Sequence, residues 1–293
     1  MDKRLEPLLK STSFREKSII VTGASSGIGR ALALRLAAEG AYVALAARCA
    51  ERLEELAVEC RQSGGRGLPI PTDVTDETQC RRLVEKTCEE YGRIDMVVNN
   101  TGMAVGSALS ELPDLRLFKQ VMEVNFLGAV HSTYYALPHL METRGRLVNI
   151  SSLGGKLAVP FNTSYCASKF AMLGFSDALR MELAEAGVSV TVVCPYWVIT
   201  EFHERFLNKD GQPAGPQGRA VYTKNMMTAD QCAQVVLRAA RRRQREVVMA
   251  PGPLAVWLKL IAPGLLDRLT VAAFLGPARR RVAQAQNRRS SNT

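Results

Sequence analysis

No Cys-x-x-Cys pair occurs among the seven cysteines of the chain, which are scattered at positions 49, 60, 80, 88, 166, 194 and 232 through apolar or helical stretches. An odd number without that spacing excludes a disulfide scaffold and a zinc site, and a reducing compartment is the default. Residues 1–17 are charged and lack the roughly 7–15-residue apolar core of a cleavable signal peptide, so a cytoplasmic location is expected. Nor does any apolar run reach the ~20 residues a membrane-spanning helix needs. The most apolar stretch, 254–275, is interrupted by Lys259, Pro263-Gly264 and Asp267-Arg268. Acidic residues are in deficit, with 28 Asp+Glu against 38 Lys+Arg and a net charge of +10. That balance favours anionic partners such as phosphates, lipid headgroups or nucleic acid. No aromatic residues interleave the clusters at Arg238, Arg241–Arg243, Arg245, Arg279–Arg281, Arg288 and Arg289, and no nucleic-acid motif accompanies them. A solvated helix face and a tail account for them, and no nucleic-acid partner is expected.

What the chain does have is the composition of a globular protein: 293 residues, 47% hydrophobic and 23% charged, which excludes wholesale disorder. Short apolar runs alternate with amphipathic stretches of helical length, a pattern of the α/β class that predicts a doubly wound parallel sheet with helices on both faces. The predicted strands are Ser18–Thr22, Tyr42–Ala47, Gly67–Thr72, Met96–Asn99, Arg146–Ser151, Ser189–Cys194 and Glu246–Ala250. Helices predicted at 28–39, 51–62 and 76–91 each end at a glycine, Gly40, Gly64 or Gly92. The expected organisation is an N-terminal extension over 1–17, one dinucleotide-binding catalytic domain over 18–250, and a C-terminal extension over 251–293 that is apolar and then arginine-rich. The polar, Gly/Pro-containing excursion at about 201–225 is long enough to be functional.

The first strand runs into Thr22-Gly23-Ala24-Ser25-Ser26-Gly27-Ile28-Gly29 and a helix opens at once. Glycines there let the backbone approach a pyrophosphate while the helix N-terminus faces it. The same residues contain Gly-x-Ser-x-Gly, the nucleophile elbow of serine hydrolases. That rival is disfavoured because the turn follows the first strand and only His131, His139 and His203 are available as bases. At the end of the second strand a carboxylate would bind the ribose 2′-hydroxyl of NAD; Arg48 stands there instead, and Arg30 follows Gly29. Two guanidiniums suit a 2′-phosphate, so NADP(H) is the expected cofactor. Both arginines as ordinary solvated residues is the competing interpretation.

Tyr165 is the one tyrosine with a lysine four positions on, Lys169, and on a helix the two share a face. An ammonium one turn away stabilises a phenolate whose ordinary pKa is ~10. Ser152, at the end of the fifth strand, adds a hydroxyl able to hold a carbonyl oxygen.

With these elements in order, 18–250 resembles the short-chain dehydrogenase/reductase family. The matching residues are the Gly-rich turn, Asp73-Val74, Asn99-Asn100-Thr101-Gly102, Asn125, Ser152, Tyr165-x-x-x-Lys169, and Pro195 with Thr200. The resemblance implies that Tyr165 is the acid/base and Ser152 orients the carbonyl. Lys169 then lowers the phenol pKa and holds the nicotinamide ribose, while Asn125 holds a water of the proton relay. It further implies that Asp73 and Val74 contact the adenine, that Asn99 and Gly102 border the adenosine, and that Val198 and Thr200 fix the carboxamide. A homodimer or homotetramer is also implied. Two departures stand out: Thr101 where the family has Ala, and Pro195-Tyr196-Trp197 where it has Pro-Gly, so that large rings roof the nicotinamide end.

Leu153, Phe161, Tyr196 and Trp197, with Ser152 and Tyr165, are the expected substrate contacts, and their apolar character suits a hydrophobic ketone or secondary alcohol. The resemblance is to members that act on lipid-like carbonyls. The alternative from another class is a non-catalytic NADP-binding scaffold of the same fold. The stretch 254–275 predicts two short apolar helices hinged at Pro263-Gly264, which either touch a membrane peripherally or cap the cleft or a subunit interface.

Overall fold

The computed structural model describes residues 13–221, 226–249 and 252–274. The arginine-rich tail from 279 onward lies outside the described residues. Strands β1 (Ser18–Thr22), β2 (Tyr42–Ala47), β3 (Arg66–Pro71), β4 (Met96–Asn99), β5 (Arg146–Ile150), β6 (Ser189–Cys194) and β9 (Glu246–Val248) form one sheet in the order β3-β2-β1-β4-β5-β6-β9, and every pairing is parallel. The third strand begins one residue earlier than expected and ends at Pro71; its two prolines are tolerated because β3 is an edge.

Helices cover both faces. On one lie α1 (Gly27–Ala38), α2 (Ala50–Gln62) and α7 (Ala229–Arg241), whose Leu32, Leu36, Leu53, Leu56 and Val236 pack against Ile19 and Val21 of β1. On the other lie α3 (Glu77–Tyr91), α5 (Gly128–Thr143) and α6 (Thr163–Glu182), whose Leu83, Leu140 and Leu179 pack against Ile20. Neighbouring residues of β1 thus feed opposite cores, which is why the strand reads as a continuous apolar run rather than an alternating one. Each such leucine, fully buried, contributes about 1.5–3 kcal/mol.

A short helix, α4 (Arg116–Met122), passes into α5 through a π-helical turn at Glu123–Leu127. The excursion after β6 carries β7 (Val198–Ile199), which pairs with β8 (Met227–Thr228), and a 3-10 turn at Gly215–Val221. Beyond β9 come α8 (Gly252–Ile261) and a second helix, α9, over 263–274. The chain breaks between them at Ala262, beside the predicted hinge. Among the described residues, no helix is long and apolar enough to cross a membrane.

Strand order reverses between β1 and β4, and the loops leaving the carboxyl ends of strands on both sides of that point diverge. They leave a cleft of about 970 Å³, where an open α/β sheet takes its ligand.

Candidate active site

The Gly-rich turn forms one wall of the cleft. Gly23 and Gly27 adopt φ of 65° and 54°, and a Cβ on Gly29 would collide with the Gly23 carbonyl oxygen, so α1 can start this close to β1 only with glycine there. Gly23, Ser25, Ser26, Gly27 and Ile28 line the cleft. Thr22 does not: its buried hydroxyl accepts from the amides of Asn100 (3.0 Å) and Thr101 (3.2 Å), fastening the turn to the end of β4. Asn100, part of the matched 99–102 motif but given no role from it, donates its side-chain amide to the carbonyls of Thr22 (3.0 Å) and Gly23 (3.3 Å) and lines the cleft. Asn99, expected to border the adenosine, points the other way. It lies in the core, donating to Thr133 Oγ1 and Asn149 Oδ1, both at 2.9 Å. Successive residues face opposite sides, and it is the second asparagine of the pair that faces the cleft.

At the end of β2, Arg48 is exposed on the cleft as expected. Arg30 is not on the cleft wall. Its Nη2 donates to both carboxylate oxygens of Glu59 at 2.6 Å, which turns the guanidinium toward α2. Arg52, one turn beyond Arg48, lines the cleft instead. Asp73 and Val74 line it too; one carboxylate oxygen of Asp73 is held by the amide (3.0 Å) and hydroxyl (2.8 Å) of Thr75.

Deeper in the cleft the catalytic candidates converge. Ser152 caps the 3-10 turn 153–155, its hydroxyl accepting from the Gly154 amide at 3.0 Å, and it stands beside Tyr165: a Cβ on Gly154 would lie 3.4 Å from the Ser152 hydroxyl and 3.3 Å from the Tyr165 ring. Tyr165 and Lys169 lie one turn apart on α6, with the ammonium 5.8 Å from the phenol ring centre. Lys169 donates to the Ile150 carbonyl at 3.0 Å. Asn125, in the π-helical turn, is buried: its Oδ1 accepts from the Met103 amide at 2.7 Å, and its Nδ2 donates to Met103 O and Ser168 Oγ, both at 2.9 Å. Asn125 does not itself line the cleft; it lies behind Gly102, with its amide bonded to Met103 and Ser168.

Burial dominates the electrostatics. Desolvation pushes the Tyr165 phenol up to about 12, with the Ser152 hydroxyl opposing, and brings the Lys169 ammonium down to about 8. In the protein alone the phenol therefore stands above its ordinary value, where an adjacent ammonium was expected to lower it.

The fold leaves room here for a further group. A Cβ on Gly102 would stand 3.5 Å from Asn125 Oδ1, 3.7 Å from Lys169 Nζ and 4.0 Å from the Phe202 ring, so the missing side chain opens a cradle where these groups meet. Together with the cleft-lining glycine turn and Arg48, this fits a dinucleotide with its nicotinamide end beside Tyr165.

Tyr196 and Trp197 stand over this end as expected, and Leu153, Val198 and Thr200 line the cleft with Pro195. Trp197 stacks on His203 (5.0 Å between ring centres, 20° between planes), and the Phe202 ring lies 6.1 Å from that of Tyr165. Phe161, an expected substrate contact, does not line the cleft; its backbone takes φ 65°, and the ring is exposed. The inner face of the C-terminal pair of helices closes the far side through Ala255, Leu266, Thr270 and Phe274, while Lys259 donates to the Lys156 carbonyl at 2.9 Å. Their outer face exposes Leu254, Trp257, Leu260, Ile261, Leu265 and Leu269.

Three of the arginines read from the sequence as a solvated helix face have structural partners. Arg241 pairs with Glu39 at 2.6 Å, Arg245 with Asp177 at 3.2 Å, and Arg243 donates to the carbonyls of Gly145, Gly187 and Arg144. Of the histidines a hydrolase would need, His131 faces the Val74 carbonyl at 3.1 Å and His139 leans toward Glu142.

Comparison with known proteins agrees with this geometry. The profile of a family described as short chain dehydrogenase matches residues 17–211. A Dictyostelium discoideum protein named dehydrogenase/reductase SDR family protein 7-like is 34% identical over 266 residues, 88% of this chain and 82% of that protein. The 11-beta-hydroxysteroid dehydrogenase 1A of Arabidopsis thaliana is 34% identical over 273 residues, 88% of this chain and 76% of that one. Among solved structures, an alcohol dehydrogenase of the archaeon Thermococcus sibiricus complexed with 5-hydroxy-NADP superposes with a TM-score of 0.69 at 27% identity, covering 80% of this chain and 95% of its own.

Proposed function

We propose, from the premise that the chain belongs to the short-chain dehydrogenase family and is an oxidoreductase acting on CH–OH and C=O groups, that it uses NADP(H) to interconvert a hydrophobic ketone and its secondary alcohol. The observation that carries this reading is the convergence of Ser152, Tyr165, Lys169 and Asn125 beneath an apolar cleft. A hydroxysteroid dehydrogenase and an NADP-complexed alcohol dehydrogenase among the similar proteins support it.

When bound, the nicotinamide supplies or accepts the hydride. The chain's own residues do the rest. Ser152, beside Tyr165 on the cleft wall, places a substrate oxygen within reach of the phenol, which donates the proton to the forming alcohol. Lys169, protonated at neutral pH with its ammonium on the Ile150 carbonyl, lies one turn behind the phenol and next to the Gly102 cradle. Asn125 binds the backbone of Met103 on one side and Ser168 of α6 on the other, and so fixes the distance between the two walls. Leu153, Leu157, Val159 and Trp197 exclude water and select apolar substrates. Arg48 and the absence of a carboxylate closing β2 favour NADP(H) over NAD(H).

The exposed outer face of α8 and α9 suits peripheral contact with a lipid surface, the inner face then lying where an apolar substrate leaves the bilayer for the cleft. A homodimer or homotetramer is the assembly proposed by family likeness. Hydride transfer followed at the nicotinamide absorbance across a panel of hydrophobic ketones and alcohols tests the activity. Turnover with NADPH that is lost in Ser152→Ala is the expected result, and no turnover on any apolar carbonyl returns the scaffold reading.

A further inference from the structure

Two arginines at the ribose end of the cleft share one carboxylate. Arg52 Nη1 donates to Glu201 Oε2 at 3.1 Å, and Arg205 Nη2 donates to the same oxygen. Arg205 also donates through Nη1 to Ser26 Oγ at 3.0 Å. The network therefore ties three separate segments together: the Gly-rich turn, the first turn of α2, and the chain that follows β7. Arg52, Arg205 and Ser26 all line the cleft, and Arg48 stands on the same wall. Burial pushes the Glu201 carboxyl up, but the bonds from Arg52 and Arg205 outweigh it and hold the group below its ordinary value.

A carboxylate bridging two guanidiniums is chemically a smaller, singly charged relative of a phosphomonoester. The phosphate offers the same acceptor geometry with three oxygens and about −1.5 to −2 charge, so the same two arginines bind it more strongly. Position identifies which phosphate: Arg52 lies one helical turn beyond Arg48, at the strand end where a dinucleotide fold reads the adenosine 2′ position. The cation expected there from the sequence, Arg30, is committed to Glu59.

We propose that Arg52 and Arg205, with Arg48, form the 2′-phosphate subsite, and that Glu201 occupies it in the cofactor-free protein as an internal competitor that NADP(H) displaces. This inference rests on the NADP(H) reading above. Displacement has a consequence at the other end of the cleft, because Glu201 lies between Thr200 and Phe202. The first lines the nicotinamide end and the second stands 6.1 Å from the Tyr165 ring, so release of the carboxylate frees the segment that roofs the substrate.

Calorimetric titration of the full chain with NADPH, NADH, 2′,5′-ADP and 5′-AMP tests it without reference to turnover. An intramolecular competitor raises the apparent Kd to the intrinsic value divided by the fraction of sites it leaves open. An exposed pair of about 1 kcal/mol corresponds to roughly fivefold. Glu201→Gln is therefore expected to tighten NADPH and 2′,5′-ADP about three- to tenfold and to leave NADH and 5′-AMP within twofold. Arg52→Gln is expected to weaken NADPH about tenfold while Arg30→Gln changes nothing, with unchanged circular dichroism confirming that each variant folds. If wild-type protein prefers NADPH but Glu201→Gln fails to tighten it, the competitor is refuted and the cofactor reading stands. Equal tightening of NADH and 5′-AMP overturns the 2′ assignment in favour of a phosphate common to both cofactors. Equal affinity of wild type for NADPH and NADH, with 2′,5′-ADP no tighter than 5′-AMP, removes the NADP(H) reading itself.

Discussion

Replacing Lys169 with methionine is expected to stabilise the cofactor-free protein while destroying its activity. Burial lowers the ammonium pKa from its ordinary 10.5 to about 8, and at about 1.36 kcal/mol per unit the charged lysine costs the native state about 3 kcal/mol at neutral pH. Against this stands the hydrogen bond to the Ile150 carbonyl at 3.0 Å, whose loss costs about 1 kcal/mol. The net gain for Lys169→Met is about 2 kcal/mol at pH 7, or roughly 4–8 °C in Tm for a domain of this size.

The sign of the pH dependence makes the test sharper. A folded-state pKa below the unfolded one means that the unfolded chain binds more protons between pH 8 and 10.5, so the wild type gains stability across that window. Below pH 8 the cost is fully present; above 10.5 it is gone and only the lost hydrogen bond separates the two proteins. The difference should therefore shrink from about 2 kcal/mol and reverse sign. Buried Cys194 and Tyr165, both pushed up to about 12 by desolvation, lower stability at alkaline pH in both proteins, and what differs between them is the Coulombic coupling of Cys194 to Lys169, the last of the influences on that thiol. Urea unfolding of the two proteins at pH 7, 9 and 10.5, without cofactor, provides the measurement. A variant less stable than wild type at pH 7, or a difference independent of pH, would refute the reasoning.

Tyr165→Phe removes the proton donor but keeps the ring, so turnover should fall by about three orders of magnitude with NADPH affinity unchanged; retained activity would show that another group is the acid. Because burial holds the phenol near 12, it stays protonated, and so present in its acid form, throughout the neutral range. Ketone reduction should therefore be nearly flat from pH 6 to about 7, below the titration of Lys169 near 8, while alcohol oxidation rises through that range, and an oxidation profile that plateaus near pH 7 would contradict the shift. Ala47→Asp combined with Arg48→Gln places a carboxylate where NAD enzymes read the ribose, and the ratio of NADPH to NADH affinity should fall at least tenfold by titration. Serine at Leu254, Trp257, Leu260 and Ile261 removes the exposed face of α8 without touching the cleft, and co-sedimentation with anionic vesicles should drop to background; identical partitioning of variant and wild type dismisses lipid contact.

The parallel sheet and the Tyr165–Lys169 pair were legible because their signals are local. A buried strand of a doubly wound sheet announces itself as an apolar run, and Tyr165 and Lys169 are one turn apart on one helix. What was misplaced depended on side-chain direction or on a partner distant in sequence. Asn99 and Asn100 are adjacent and chemically identical, and only the register of β4 decides which faces the cleft and which the buried Asn149 and Thr133. Arg30 follows the Gly-rich turn as a phosphate ligand would, but Glu59 on α2 claims it, and no spacing rule connects two helices that meet only after β2 is laid beside β1.

The same limit applies to the segment after β7. Its Arg205, Phe202 and His203 acquire a role only because Val198–Ile199 pair with Met227–Thr228 and turn 201–206 back across the Gly-rich turn, where a Cβ on Gly27 would lie 3.1 Å from Thr200. The contact depends on glycine at 27, so one residue serves two ends of the cleft: it lets the phosphate turn form, and it lets the substrate roof rest on that turn. A side chain at Gly27 would strain a backbone held at φ 54° and also lift the roof, which is why the phosphate network of Arg52, Arg205 and Glu201 can be mechanically continuous with the aromatic wall beside Tyr165.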